Sequence, residues 1–204
     1  MRIISGTARG AKLYTLEGND ITRPTLDRVK EPMFSMLINY LEDANVLDLF
    51  AGSGALGLEA ISRGAKEAVL CDNSWKAISV IKENVKKLRM EEQANILSLD
   101  YKKALDELTG QAFDIIFLDP PYKTDYDIQA IKIIKDNKIL AKDGIIVLET
   151  NSDEKIQELE NIEINILKIR KYGRVKLVFL NWKGLQTNGN LHITRNIRGY
   201  FRKK

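Results

Sequence analysis

The chain has 204 residues, of which 44% are hydrophobic and 29% charged, the balance of a globular domain that buries its own core. No stretch approaches the roughly 18 uninterrupted apolar residues of a membrane-spanning helix, and no apolar run ending in a small-residue cleavage site follows Met1. One cysteine and one histidine exclude a disulfide framework and a Cys/His metal cage, so a reducing, cytoplasmic protein with no membrane contact and no metal is expected. The formal charge of +4 is unevenly spread: residues 1–30 carry six basic and three acidic groups, residues 31–163 carry 15 and 25, and residues 164–204 carry 11 and none. Basic ends around an acidic middle suggest contact with a polyanion.

In chain order, Arg2–Ser5 and Lys12–Leu16 flank Gly6 and Gly10 and read as a small β-hairpin. Thr25–Leu41 reads as a helix with Val29, Met33, Leu37 and Leu41 on one face, interrupted or started by Pro32. Five short, nearly continuous apolar runs follow: Asn45–Phe50, Glu67–Asp72, Asn95–Asp100, Phe113–Leu118 and Gly144–Glu149. Runs of this kind suit parallel strands covered on both faces. Helical patterns separate them at Ala55–Arg63, Ser74–Leu88, Tyr101–Leu108 and Tyr126–Lys135, so the fold class is α/β with a doubly wound sheet. Asn165–Lys171 and Arg174–Trp182 around Tyr172-Gly173 read as an antiparallel hairpin closing one edge. Three segments result: an N-terminal β-hairpin extension over 1–24, the main domain over 25–182, and a basic, aperiodic tail over 183–204 that reads as mobile.

The sharpest motif is Asp48-Leu-Phe-Ala-Gly52-Ser-Gly54-Ala-Leu-Gly57, which follows the first parallel strand and opens a helix. Glycines there let the backbone approach a ligand closely, and the spacing is that of a dinucleotide fingerprint. Asp72, ending the next strand, is placed to accept both hydroxyls of a ribose, which NAD and S-adenosylmethionine both offer. Asp48 favours S-adenosylmethionine, because the dinucleotide fingerprint needs no acid there and a carboxylate can hold the donor's amino group. Asp100, with Tyr101 beside it, could receive the adenine amine, or could simply cap the helix that follows.

The fourth strand runs into Asp119-Pro120-Pro121-Tyr122. Two prolines stiffen this turn. A fixed carboxylate and a backbone carbonyl can accept both N–H groups of an exocyclic base amine and free its lone pair for methyl transfer, with positioning as the main catalytic effect. Tyr122 would stack on the target base.

These segments resemble a known family. Asp119–Tyr122 resembles the catalytic motif of amino-methyltransferases and Asp48–Gly57 their cofactor motif. Arg2-Ile-Ile-Ser-Gly6 with Arg9-Gly10, and Thr22-Arg-Pro-Thr25 with Asp27-Arg-Val-Lys30, resemble a narrower group: the bacterial 16S rRNA guanine-N2 methyltransferases acting at guanine 966. The resemblance implies a Rossmann-like, seven-stranded, mainly parallel sheet. It also implies S-adenosylmethionine as donor and 16S rRNA in an assembled or assembling small subunit as substrate, with a monomer expected. By it, Asp48, Gly52, Gly54 and Asp72 would line the donor site and Asp119 to Tyr122 would hold the guanine, while Arg9, Arg23, Thr25 and Arg28 are candidate substrate contacts. Surface charge and helix capping are the alternative for Arg23, Thr25 and Arg28. Pro32 and the tail 183–204 depart from the family pattern. A DNA or other RNA amino-methyltransferase would share Asp119–Tyr122, an NAD-dependent oxidoreductase would share only the glycine loop, and a non-catalytic RNA-binding protein would need neither. His192 reads as solvated and Cys71 as core; Trp75 and Trp182 could be stacking platforms, though packing is the commoner fate of tryptophan.

Overall fold

The computed structural model describes residues 1–16, 23–121 and 124–182, with the backbone alone for 23–28. Its elements are α1 (Arg23–Met36), a 3-10 turn (Ile38–Tyr40), β1 (Asn45–Asp48), α2 (Ala55–Ser62), β2 (Glu67–Asp72), α3 (Trp75–Leu88) and β3 (Ala94–Ser98). Then follow α4 (Tyr101–Glu107), β4 (Phe113–Leu118), α5 (Tyr126–Asp136), β5 (Leu140–Thr150), α6 (Asp153–Leu159), β6 (Ile164–Tyr172) and β7 (Val175–Trp182). The seven strands order as β3-β2-β1-β4-β5-β7-β6. All pairs are parallel except β5–β7 and β6–β7, which is the expected Rossmann-like sheet with its C-terminal hairpin.

Strand side chains alternate between two faces, and the apolar runs fill both. Val46, Leu70, Ile115, Phe117 and Val147 face one core with α1, α2 and α3. Leu47, Val69, Cys71, Ile116 and Leu148 face the other with α4, α5 and α6. This double covering is why the strands read as continuous rather than alternating hydrophobicity.

The helix caps follow the sequence. Ser74 Oγ accepts the Ala77 N–H at the start of α3 and Ser152 Oγ accepts the Lys155 N–H at the start of α6. Helix α1 begins at Arg23 and ends at Met36, earlier at both ends than the reading Thr25–Leu41, and it continues through Pro32. Proline in a helix interior removes one backbone donor. Burial of Val29, Met33, Phe34 and Leu37, each at most 5% exposed, holds the helix together regardless. Strand β5 starts at Leu140, before Gly144, because a register shift near Phe113 lets Leu140 pair with Phe113 and Ile145 with Ile115.

The N-terminal arm pairs Arg2 with Lys12 as an antiparallel bridge. Ile3 and Leu13 then enter the same core as Phe34 and Val46. The residues that fix the arm are polar and buried. Glu59, 0% exposed in the middle of α2, accepts the N–H groups of Ile4 at 2.7 Å and Ser5 at 3.0 Å. It also pairs with Lys30 at 3.0 Å and Arg63 at 2.7 Å. Ser62 accepts the Ala8 N–H and donates to the Ser5 carbonyl. A buried carboxylate is tolerated only when so fully partnered, and here the partners come from three separate segments.

Candidate active site

In the strand order the chain turns from one side of β1 to the other between β3 and β4, so the carboxyl ends of β1 and β4 diverge. Open α/β sheets bind ligands at such a point. A cavity of about 710 Å³ lies there, lined by Asp48, Gly52, Asp72, Asp100, Tyr101, Asp119, Pro120, Pro121 and Glu149. Most of the residues singled out in the sequence therefore meet in one place.

One wall is the turn from β1 into α2. Gly52 and Gly54 have φ of +57° and +77°, and a Cβ on Gly52 would meet nothing within 4 Å, so that backbone is open to the cavity. Gly57 has a different role: a Cβ there would lie 2.1 Å from Leu70 Cδ2, so the residue sets the close packing of α2 on β2. Asp48 accepts the Gly57 N–H at 3.1 Å and is 1% exposed. Burial, with a smaller contribution from Asp72, lifts its carboxyl from the ordinary 3.8 to about 7 against the opposing Gly57 hydrogen bond.

Asp72 Oδ2 accepts the Gly52 N–H at 2.9 Å and Oδ1 the Ser74 N–H at 2.8 Å. Each oxygen keeps a lone pair for a further donor. Asp100 caps α4 by accepting the Lys102 N–H at 3.0 Å, so of the two readings the cap is realised, while the residue still lines the cavity. Cys71 is core as expected: burial, then Asp72 and Asp48, push its thiol up to about 12, which excludes it as a nucleophile near neutral pH.

The opposite wall is the exit of β4. Burial, then Glu149, then Asp48, hold the Asp119 carboxyl well above the usual carboxylate range. Pro120 is buried and Pro121 exposed. The turn is braced downstream: Thr124 donates N–H and Oγ–H to the Pro121 carbonyl at 3.1 and 2.8 Å. The Lys155 ammonium donates to the Thr124 carbonyl and pairs with the buried Asp127 at 2.8 Å. Tyr122 lies outside the described residues.

Several further lining residues were not anticipated, among them Phe50 and Tyr126 beside the anticipated Tyr101. Phe50, Tyr101 and Tyr126 form an aromatic cluster, with Phe50 and Tyr126 nearly parallel at 8° and 6.5 Å and Tyr101 4.9 Å from Tyr126. Tyr101 is fixed by donating its hydroxyl to Gln129 at 2.8 Å. Glu149, the penultimate residue of β5, adds a carboxylate. Met1, Thr15, Leu16, Val29, Lys30 and Met33 close the cavity from the N-terminal side. A lone glutamate inside the otherwise apolar α2 and an aspartate heading α5 were the available signals for Glu59 and Asp127. Glu149 and the aromatic cluster required the topology.

The candidate substrate contacts are dispersed. Arg9 is exposed at the arm's turn, which is tied to Ser62 at the far end of α2, about 12 Å along the helix from the cavity end at 1.5 Å per residue. It is therefore not a cavity residue. Arg23, Thr25 and Arg28 lie on α1, and their side chains are outside the described residues. Trp75, expected to pack, is 74% exposed. Among the described residues no group of three His, Cys, Asp or Glu side chains is arranged to hold a metal ion, and no helix is long and apolar enough to cross a membrane.

The fold and its crevice define a Rossmann-like α/β protein whose candidate ligand site is the cavity at the sheet's switch point, between a glycine turn and the carboxylate that precedes two prolines. The chain belongs to the family described as conserved hypothetical protein 95, whose sequence profile matches residues 1–181. It is 37% identical over 163 residues to ribosomal RNA small subunit methyltransferase D of Haemophilus influenzae, covering 79% of this chain and 84% of that one. To the Escherichia coli K12 protein of the same name it is 36% identical over 150 residues, 74% of each chain. Among solved structures, a hypothetical protein of Thermus thermophilus matches with a TM-score of 0.72 at 28% identity, covering 88% of this chain and 98% of that one.

Proposed function

We propose that the protein is an rRNA methyltransferase that moves a methyl group from S-adenosylmethionine to the exocyclic N2 of a guanine in 16S rRNA. The observation that carries the reading is that Asp119, Pro120 and Pro121 share one cavity with Asp48, Gly52 and Asp72. The relatives named ribosomal RNA small subunit methyltransferase D support the substrate class.

The residues fit the donor. Bound there, S-adenosylmethionine supplies a methyl group activated by a sulfonium centre. Asp72, with a lone pair remaining on each oxygen, would take the two ribose hydroxyls. Asp48, costly to ionise because it is buried, would be stabilised as the carboxylate by the donor's cationic amino group. Gly52 leaves room for the ligand against the backbone, and Asp100 and Tyr101 border the place for the adenine. Glu149 adds negative charge facing the same cation-bearing ligand.

On the opposite wall Asp119 and the Pro120 carbonyl would accept the two N–H groups of the guanine amine. That arrangement turns the nitrogen lone pair away from the ring and towards the methyl group, so orientation supplies much of the rate. Once methylated the nitrogen becomes acidic, and Asp119 with its raised pKa is suited to receive the proton. Tyr122 would cover the base. The proposed partner is the small ribosomal subunit, assembled or assembling, met by a cytoplasmic monomer. Labelled donor incubated with protein and undermodified small subunits, followed by mass-spectrometric mapping, should show N2-methylguanine at one 16S position. Label in adenine N6, or no transfer to either free rRNA or subunits, would overturn the reading.

A further inference from the structure

Residues 31–163 are acidic as a whole, with 15 basic and 25 acidic side chains, yet one helix within them is not. The solvent side of α3 and its C-cap present Lys76, Lys82, Lys86, Lys87 and Arg89 against Glu83 alone. Trp75, Lys82, Lys86 and Arg89 recur at helical spacing and so fall in one stripe. None of the five cations is in an ion pair among the described residues.

Two exposed aromatics border the stripe. Trp75 is 74% exposed and Tyr14 50% exposed. The Lys87 ammonium lies 4.2 Å from the Tyr14 ring centroid and that of Lys76 5.9 Å from Trp75. Tyr14 is held in place: its N–H donates to Asn84 Oδ1 at 2.8 Å and its carbonyl accepts from Asn84 Nδ2 at 3.0 Å, with Asn84 fully buried in α3. The stripe also starts at the cavity. Asn73, two residues before Trp75, lines it, as do Thr15 and Leu16, which follow Tyr14.

A lysine-rich helix face alone is ordinary solvated surface. An indole left three-quarters exposed two residues from the cavity lining, on one helix with unpaired cations that reach a pinned tyrosine, is the pattern of a single-stranded nucleic-acid track, in which cations follow phosphates and rings stack bases. We propose that the α3 face, with Trp75 and Tyr14, carries the RNA strand that flanks the base entering the cavity. This rests on the rRNA reading above.

The test uses the full chain, the variants Lys82→Glu/Lys86→Glu and Trp75→Ala, and a single-stranded oligonucleotide of 16S sequence. The double variant should bind it about tenfold more weakly, and the slope of log K against log salt should shrink by about 1.4 if two phosphate contacts are lost. Binding should quench tryptophan fluorescence in the unaltered chain and much less in Trp75→Ala. Both variants should keep donor affinity and melting temperature, since the changed side chains are exposed. Unchanged RNA affinity, salt slope and quenching would overturn the track. So would displacement of the RNA by polyglutamate at equal charge, which points to an acidic protein instead. Methyl transfer by the unaltered protein to small subunits is measured alongside: it can succeed while the track fails, and its absence with normal donor binding overturns the function rather than the track alone.

Discussion

Asp48 is a carboxylate that the folded protein keeps at a cost, and Asp48→Asn measures that cost. The unfolded chain releases this proton near the ordinary 3.8 and the native protein only near 7. Between those values the native state holds one proton more than the unfolded state, so stability falls as pH rises through that window. At about 1.4 kcal/mol per pKa unit, the loss is about 1.5 kcal/mol at pH 5 and approaches about 4 kcal/mol at pH 8. Asparagine keeps an acceptor for the Gly57 N–H and never ionises. The variant should therefore be more stable than the unaltered protein when no donor is present, with the difference growing by about 2.5 kcal/mol from pH 5 to pH 8. For a chain of this size that is about 5–10 °C in melting temperature. The same substitution should weaken S-adenosylmethionine binding about 10- to 100-fold, the range for losing a charge-assisted hydrogen bond. Thermal unfolding at the two pH values, with donor titration by calorimetry, reads both effects. An asparagine variant no more stable than the parent at pH 8, or a stability difference that ignores pH, would refute the argument.

Asp119→Asn should abolish methyl transfer while leaving donor affinity within about threefold, because the residue is assigned to the base rather than the donor; retained turnover would remove it from the mechanism. Gly6 and Gly10 share a φ of +84°, but a Cβ on Gly6 would lie 1.6 Å from the Ser62 carbonyl oxygen, whereas one on Gly10 would meet nothing within 4 Å. Gly10→Ala should cost about 1–2 kcal/mol from the left-handed backbone alone, and Gly6→Ala clearly more; equal losses in urea unfolding would show that the arm does not dock as described. Lys155→Met leaves Asp127 buried without its cation and frees the Thr124 carbonyl, so a loss of about 3 kcal/mol is expected, with a fall in kcat larger than any change in donor affinity. A variant with normal kcat would mean that Lys155 does not position the Asp119 turn.

What could be read from the sequence was whatever is encoded locally. Strands β2 and β4 were delimited to the residue because Glu67–Asp72 and Phe113–Leu118 are nearly continuous apolar runs, the first ending in Asp72 and the second followed by Asp119. Three carboxylates of the site were legible from place along the chain, since strand ends in a doubly wound sheet converge on one edge: Asp72 ends its run, Asp119 follows one directly, and Asp48 sits inside the first just before the glycine turn. Helix α6 escaped because seven residues with Ile156 and Leu159 as the buried pair are too few to show a period. Trp75 was misread because its hydrophobicity, not its place on the helix, set the expectation. Glu59, Ser62, Asn84 and Lys155 escaped for another reason: their partners lie 55, 54, 70 and 31 residues away, and no local pattern records such distances.

Those long-range polar contacts decide what the cavity is. The glycine turn and the acids come from the sheet, but the wall opposite the sheet comes from Met1, Thr15 and Leu16, held there by Glu59 and Asn84. Asn84 joins the two parts directly, since its Nδ2 donates to Ser53 in the glycine turn at 2.9 Å and to Tyr14 in the arm at 3.0 Å. One buried amide thus ties the turn proposed to face the donor to the segment that closes the cavity and to the helix whose outer face is the proposed RNA track. Any ligand that orders the glycine turn must also favour the docked arm, because the free energy of breaking the shared hydrogen bonds enters both equilibria. The N-terminal residues, basic and peripheral by their place in the sequence, are in this sense part of the active-site wall.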